Sequence, residues 1–450
     1  MQEIDFVDQT IRDAQQSIWG FRMSTDMILP IIPILDQVGY KYIATVGARG
    51  MIVTMRAFHE DPFARIRLLV EGLRKTPLRG SFWPWNLQGF FIEPLAAIEL
   101  WIKWQVANGI KSLWICDYQN MMDRLSHLVR VAKAEGAEVV ESLGYVLSPV
   151  HTDELFARKT RMVAEMGGVD AIHFEDPGGT LTPERTRTLL PAIQKESRGI
   201  PIEFHAHCNT GLAPLCYLEA IKLGIKTLHT AVPSLANDTS LPSVENILRN
   251  VRRLGYSSNL DEEALKAVID YFRKIAQEHG MRIGAPLEYD LFQFEHQLPG
   301  GMMGTLRNQL AEVKKEHLLN EVLEEIVRIR QEFGYPVMGT PYSQLVGAQA
   351  VFNVTSGERY KIIPDEVIKY MLGIYGEPDG PIEQNVKDKI LSSPKAKKFF
   401  NWKVPEITVE DLRKLEPSLS DDELLLRIAN PEGEFQDKLN ALYGKKYITT

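Results

Sequence analysis

Two histidines separated by one residue, His205 and His207, lie in the segment 202–211, IEFHAHCNTG. An extended strand sends alternate side chains to one face, so both imidazoles point the same way. Two imidazoles on one face at a strand end can bind one divalent metal. The same spacing also suits a pair of buried, hydrogen-bonded histidines, so a further donor is needed. Asp13, in the segment 8–17, DQTIRDAQQS, is the candidate. A carboxylate beside two imidazoles makes a mixed donor set suited to Zn, Mn or Co. A catalytic ion keeps one position open for substrate. There it acts as a Lewis acid on a carbonyl oxygen and stabilises an enolate.

Such donors must be brought together by regular elements. Over the first ~250 residues short β-type runs lead into longer amphipathic runs, the pattern of repeated βα units. The strands are expected at 3–8, 40–46, 78–83, 112–117, 138–146, 170–175, 201–207 and 227–232. Helices are expected near 24–38, 61–75, 93–108, 122–135, 152–167, 183–197, 211–224 and 242–254. Eight repeats fit a closed (β/α)8 TIM barrel better than an open sheet. Asp13, Asp117, Glu175, Asp176, His205 and His207 then all fall at strand ends, where active sites of this fold sit. Some of these, Asp117 and Asp176 above all, are equally good turn and capping residues. After residue 256 the rhythm becomes helical, at 261–279, 305–334, 364–374, 384–392 and 421–429, with Pro- and Gly-rich joints. The expected organisation is a barrel over 1–290 and a helical C-terminal domain over 291–450, completing the active-site funnel.

Composition narrows the function class. The 450 residues are 44% hydrophobic and 24% charged, ordinary for a soluble globular protein. The net charge of -8 argues against a nucleic-acid binder, which needs clustered Lys and Arg. No run of about 18 apolar residues reads as a membrane span. Three cysteines, Cys116, Cys208 and Cys216, show no paired spacing, which suits a reducing, cytoplasmic setting.

The segment DQTIRDAQQS resembles the opening of the biotin-dependent carboxyltransferases. These are the carboxyltransferase domain of pyruvate carboxylase, the transcarboxylase 5S subunit and the oxaloacetate decarboxylase alpha subunit. Further segments match in the same order: SPVHT (148–152), FHAHCNTG (204–211), QLPGGM (297–302), TPYSQLVGAQAVFNV (340–354) and YGEPDGP (375–381). Together they span nearly the whole chain. The wider barrel group of HMG-CoA lyase and isopropylmalate synthase shares only the RD and HxH parts. The resemblance implies that Asp13, His205 and His207 are metal ligands. It implies that Arg12 holds the enolate oxygen, that Gln16 hydrogen-bonds substrate and that Thr340 passes a proton between substrate and biotin. Ser343 and Gln344 would lie near the biotin ring.

The chain departs from the family pattern in four places. The family's strand-six lysine, carbamylated to ligate the metal, is Glu175 here, in HFEDPGG; we expect it to serve directly as a fourth ligand. The Arg that pairs with a keto-acid carboxylate on strand three falls on Trp83, in SFWPWNLQGFF (81–91). A pocket Tyr becomes Phe90, and a strand-four Arg becomes Trp114. The loop VGARGMI after strand two introduces Arg49, either an anion contact or a solvated loop residue. Losing a buried charge-assisted hydrogen bond to a carboxylate costs several kcal/mol of specificity. The expected substrate is therefore a ketone without an alpha-carboxylate, an acetophenone-type methyl ketone being one concrete example. The alternative keeps the pyruvate or oxaloacetate chemistry of the family.

The sequence contains no Met-Lys-Met biotinyl segment and no Gly-rich ATP-grasp region. Biotin carboxylase and a biotin carrier are therefore expected on other polypeptides, with this chain a homodimer in a larger complex. Two other classes compete: a biotin-independent aldol-type lyase or synthase, and a non-catalytic scaffold whose metal site has decayed.

Overall fold

The computed structural model describes residues 2–45, 47–87, 92–119, 121–312, 314–404 and 406–429. Among these residues eight strands form: β1 (Asp5–Asp8), β2 (Tyr42–Ala44), β3 (Leu78–Phe82), β4 (Ser112–Ile115), β5 (Glu138–Gly144), β6 (Ala171–Asp176), β7 (Ile202–Ala206) and β8 (Thr227–Thr230). All pair in parallel, and β8 pairs with β1 to close the barrel. The expected TIM barrel and its helical continuation are thus both present.

Strand alternation divides each strand between two environments. Ile172, Phe174, Phe204 and Leu228 join the hydrophobic core beneath the helices. Their neighbours point into the lumen. Arg79 on β3 reaches Glu203 on β7, a strand that is not its neighbour, so this ion pair crosses the barrel. Arg79 Nε also donates to Ser112 Oγ at 2.9 Å and Nη2 to Glu138 Oε1 at 3.0 Å. A buried ion pair is tolerable only with its remaining hydrogen bonds made, and here they are made.

Most expected helices form within a few residues of their place. The segment 24–38 is the clearest exception. It forms the 3-10 turns Thr25–Met27 and Leu29–Ile31 and one α-turn, Ile32–Leu35. Pro30 and Pro33 remove the donors that a continuous helix needs. The stretch 305–334 likewise divides, into Gly300–Glu312 and Leu319–Glu332. Lys314 between them takes a left-handed backbone (φ 57°), which ends an α-helix. The longest helices that were not anticipated, among the described residues, are Ala48–Phe58 and Tyr342–Ser356. Among the described residues no helix is long and apolar enough to cross a membrane.

The region after 291 serves two cores. Val322, Ile326, Phe333, Val346 and Ile368 build a second core that also takes in Trp114, Cys116 and Tyr118 from the end of β4. Leu412, Leu424 and Leu425 return to the barrel core. There Asp422 accepts from Trp104 Nε1 at 2.6 Å and pairs with Arg67.

The quoted motifs dock the second core onto the barrel mouth. Gln297 of QLPGGM accepts from the Leu147 N–H at 3.0 Å and donates to the Leu147 carbonyl at 2.7 Å. Asp379 of YGEPDGP accepts from Lys159 Nζ at 2.6 Å and faces His151 Nε2 of SPVHT at 3.2 Å. Burial alone would raise the Asp379 carboxyl, but His151 and Lys159 outweigh it and hold it below the usual carboxylate range. A depressed carboxylate stabilises the fold fully above its unfolded pKa of about 3.9, and that share is lost as pH falls through the lower folded value. Asp379→Asn leaves Lys159 buried without its counter-charge. It should destabilise by about 3 kcal/mol at neutral pH, with the deficit shrinking in acid, as read by urea unfolding across pH.

Candidate metal centre and substrate cavity

The donor atoms of Asp13, His205 and His207 converge to within 4.8 Å of one another, and all three residues are buried. His205 Nε2 lies 3.2 Å from His207 Nε2. Asp13 carboxylate oxygens lie 3.8 Å from His205 Nε2 and 3.5 Å from His207 Nε2. Strand alternation on β7 aligns the two imidazoles, as the H-x-H spacing implies. Asp13 is presented by a π-helical stretch, Thr10–Ala14, that follows β1 and runs into the helix Gln15–Trp19. Such widened turns often mark functional sites.

Each donor is held from behind. Ser17 Oγ donates to Asp13 Oδ1 at 2.9 Å, and Arg12 pairs with the other oxygen. Burial would raise the Asp13 carboxyl, yet His207, Arg12 and Ser17 together keep it below its ordinary value. His207 Nδ1 donates to the Thr239 carbonyl at 2.8 Å, which leaves Nε2 as the bare nitrogen. Burial drives the His205 pKa well below its ordinary value, so this ring is neutral. Two imidazoles and an ionised carboxylate with converging lone pairs fit a divalent ion.

Glu175 sits on β6 directly beside His205 in the sheet register. Its Oε2 accepts from the Tyr118 hydroxyl at 3.0 Å, and it stands outside the tight group of three donors. Burial pushes its carboxyl up to about 7, against the opposing pull of Arg12.

These residues open onto a cavity of about 230 Å³. Asp13, Glu175 and His207 line it, as do Arg12, Gln16, Trp83, Trp114, Thr340 and Gln344. Two expected site residues do not: His205 lies deeper, and Ser343 is fully buried in the helix Tyr342–Ser356. Phe90 lies outside the described residues, as does the side chain of Arg49.

Trp114 serves as a platform. One face carries the Arg12 guanidinium, 4.2 Å from the ring centroid, a cation–π contact. His173 stacks on it at 5.0 Å, and its Nε1 donates to Ser142 Oγ at 2.6 Å. Trp114 thus presents a surface that orients Arg12.

Three features escaped the sequence reading. Tyr118 packs so tightly that a Cβ on Gly144 or Gly339 would fall 2.4 or 2.3 Å from its ring. The lumen column of Arg79, Glu203, His173 and His229 is the second. It could have been found by stepping back two residues from His205 and from Glu175, which gives Glu203 and His173. The third is Gly300 of QLPGGM. A Cβ there would sit 1.8 Å from Thr239 Cβ. Thr239 holds His207 and also donates to the Ser17 carbonyl at 3.0 Å. Gly300→Ala should therefore shift Thr239 and weaken divalent-ion binding by about tenfold or more, measured by titration calorimetry.

Comparison with known proteins places the chain in a family. A model described as "Conserved carboxylase domain" matches residues 294–444, and one described as "HMGL-like" matches residues 107–271. A pyruvate carboxylase subunit of Methanocaldococcus jannaschii is 36% identical over 390 residues, 86% of this chain and 68% of that protein. The 2-oxoglutarate carboxylase large subunit of Hydrogenobacter thermophilus is 30% identical over 398 residues, 88% of this chain and 61% of that protein. The carboxyl transferase domain of Rhizobium etli pyruvate carboxylase, solved with pyruvate, shares the fold. Its TM-score is 0.86 at 22% identity, covering 99% of this chain and 78% of that one. The chain belongs to the carboxyltransferase family of the biotin-dependent carboxylases.

Proposed function

We propose that this carboxyltransferase moves CO2 from carboxybiotin to the enolate of a ketone that lacks a carboxylate beside its carbonyl. One observation carries the substrate class. Arg12 is the one Lys or Arg among the described residues lining the cavity, and Asp13 and Trp114 already engage its guanidinium. A 2-oxo acid would need a further cation for its carboxylate, besides the Arg12 N–H groups that face its carbonyl oxygen. The walls at Trp83 and Trp114 suit an apolar or aryl substituent instead; acetophenone is an example.

Asp13, His205 and His207 would hold the divalent ion (Zn, Mn or Co), with Glu175 as the fourth donor after a small movement from Tyr118. When bound, the ion supplies a Lewis-acid contact for the substrate carbonyl oxygen. Arg12, fixed flat on Trp114, offers its remaining N–H groups to the oxygen as charge develops. Gln16 orients the substrate by a hydrogen bond. The Thr340 hydroxyl takes the proton from the α-carbon and passes its own to the biotin ring nitrogen, which has just lost CO2. The enolate carbon then bonds to that CO2. Gln344 lines the cavity with an unpartnered Oε1, placed to meet the biotin ring. Ser343, one residue earlier, backs this helix turn.

Biotin carboxylase and the biotin carrier would be separate polypeptides, in keeping with relatives that are themselves named as single components of a carboxylase. A second copy of this chain would complete the assembly. The second reading is a 2-oxo acid substrate, favoured by the names pyruvate carboxylase and 2-oxoglutarate carboxylase. The carboxylase family membership disfavours the lyase reading, and the converging donors disfavour a decayed scaffold.

With the cognate biotin carboxylase and carrier, carboxylation should be faster on acetone or acetophenone than on pyruvate or 2-oxoglutarate, by about tenfold or more. Activity on the 2-oxo acids alone would overturn the ketone assignment. On the preferred substrate, Thr340→Ala should lower kcat by about 100-fold with little change in KM, and Thr340→Ser should recover most of it.

A further inference from the structure

Beneath His205 the barrel lumen holds Gln9, Arg79, Glu203 and His229, which the reaction above does not use. We propose that Glu203 and His229 are a positioning pair that keeps the ring proton of His205 on Nδ1, leaving Nε2 free for a divalent ion. The inference rests on the metal reading of Asp13, His205 and His207.

The hydrogen-bond logic runs outward from the ion pair. Glu203 is held as a carboxylate by Arg79, including an Nη2–Oε1 bond of 3.1 Å. A carboxylate only accepts. His229 Nε2 lies 3.0 Å from Glu203 Oε2, so that nitrogen carries the hydrogen. A neutral imidazole has one N–H, which makes His229 Nδ1 an acceptor. Two donors share its single lone pair: Gln9 Nε2 at 2.9 Å and, in the longer branch, His205 Nδ1 at 3.3 Å.

His205 therefore has two possible homes for its own proton. One is toward His229 Nδ1. The other is toward His207 Nε2 at 3.2 Å, which is bare because His207 Nδ1 donates to Thr239. A proton on the second side would sit where the ion belongs. His229 provides the only acceptor on the far side among the described residues, and Glu203 keeps it an acceptor. Groups that orient a ligating imidazole in this way typically change metal affinity 10- to 100-fold, by order of magnitude. The neighbouring trio His173, His205 and His229 also brings its nitrogens within 4.8 Å. A second ion there would displace the proton this pair retains, so stoichiometry separates the two arrangements.

The test is calorimetric titration of the full chain with Zn2+. Wild type should bind one equivalent. His229→Phe, which removes the acceptor, should bind about 10- to 100-fold more weakly. His229→Gln, whose amide oxygen can accept from Nδ1–H, should stay within about 3-fold of wild type. A merely structural role would lower the metal-free unfolding temperature in step with affinity; the positioning role separates the two. Should the Phe variant not fold, 15N NMR of histidine-labelled wild type decides, with His229 expected as the Nε2–H form and His205 as the Nδ1–H form. Unchanged affinity in His229→Phe, two equivalents of Zn2+, or His229 protonated on Nδ1 would overturn the pair. Wild type binding no Zn2+ would overturn the metal reading itself, and the proposed role with it.

Discussion

An imidazole that ligates a metal must present one nitrogen as a lone pair and dispose of its proton on the other. Strand β7 places two such rings side by side, and each solves the problem differently. His207 gives its proton to the Thr239 carbonyl at 2.8 Å. His205 faces inward, where its Nδ1 meets His229. Nearly every notable feature of the molecule bears on these two rings. Asp13 closes the group from β1, Gly300 admits Thr239, and the lumen below supplies the hydrogen bonds that a buried polar ring requires.

That requirement explains why the lumen is polar. A TIM-barrel interior is commonly filled by layers of branched apolar residues. Here charged and aromatic groups span it instead: Arg79 to Glu203, Glu203 to His229, and His173 against Trp114. Each of these charges has its counter-charge within the barrel. The same column reaches the cavity through Trp114, whose upper face fixes Arg12. The second core then seals the mouth through Gln297 and Asp379, and brings Thr340 and Gln344 opposite the donors.

Much of this was legible in the sequence because it depends on short-range periodicity. Alternation located all eight strands, and the H-x-H spacing with Asp13 located the donors. Elements governed by non-local packing were not legible. The proline pair at 30 and 33 broke a helix whose apolar spacing looked continuous. Tyr118 became a cavity residue only through two glycines distant in sequence, Gly144 and Gly339. Trp114 read as a substrate wall, and its second duty as a platform for Arg12 needed three dimensions. Ser343 read as a biotin contact from its motif, but the helix register turns it inward and leaves Gln344 facing the cavity.

The central claim is that Asp13, His205 and His207 form one divalent-ion site. X-ray absorption fine structure at the Zn edge of the Zn-loaded protein tests it most directly. Two imidazole shells and oxygen donors are expected, with one imidazole shell lost in His207→Ala. A spectrum without imidazole scattering, or one unchanged in that variant, would contradict it.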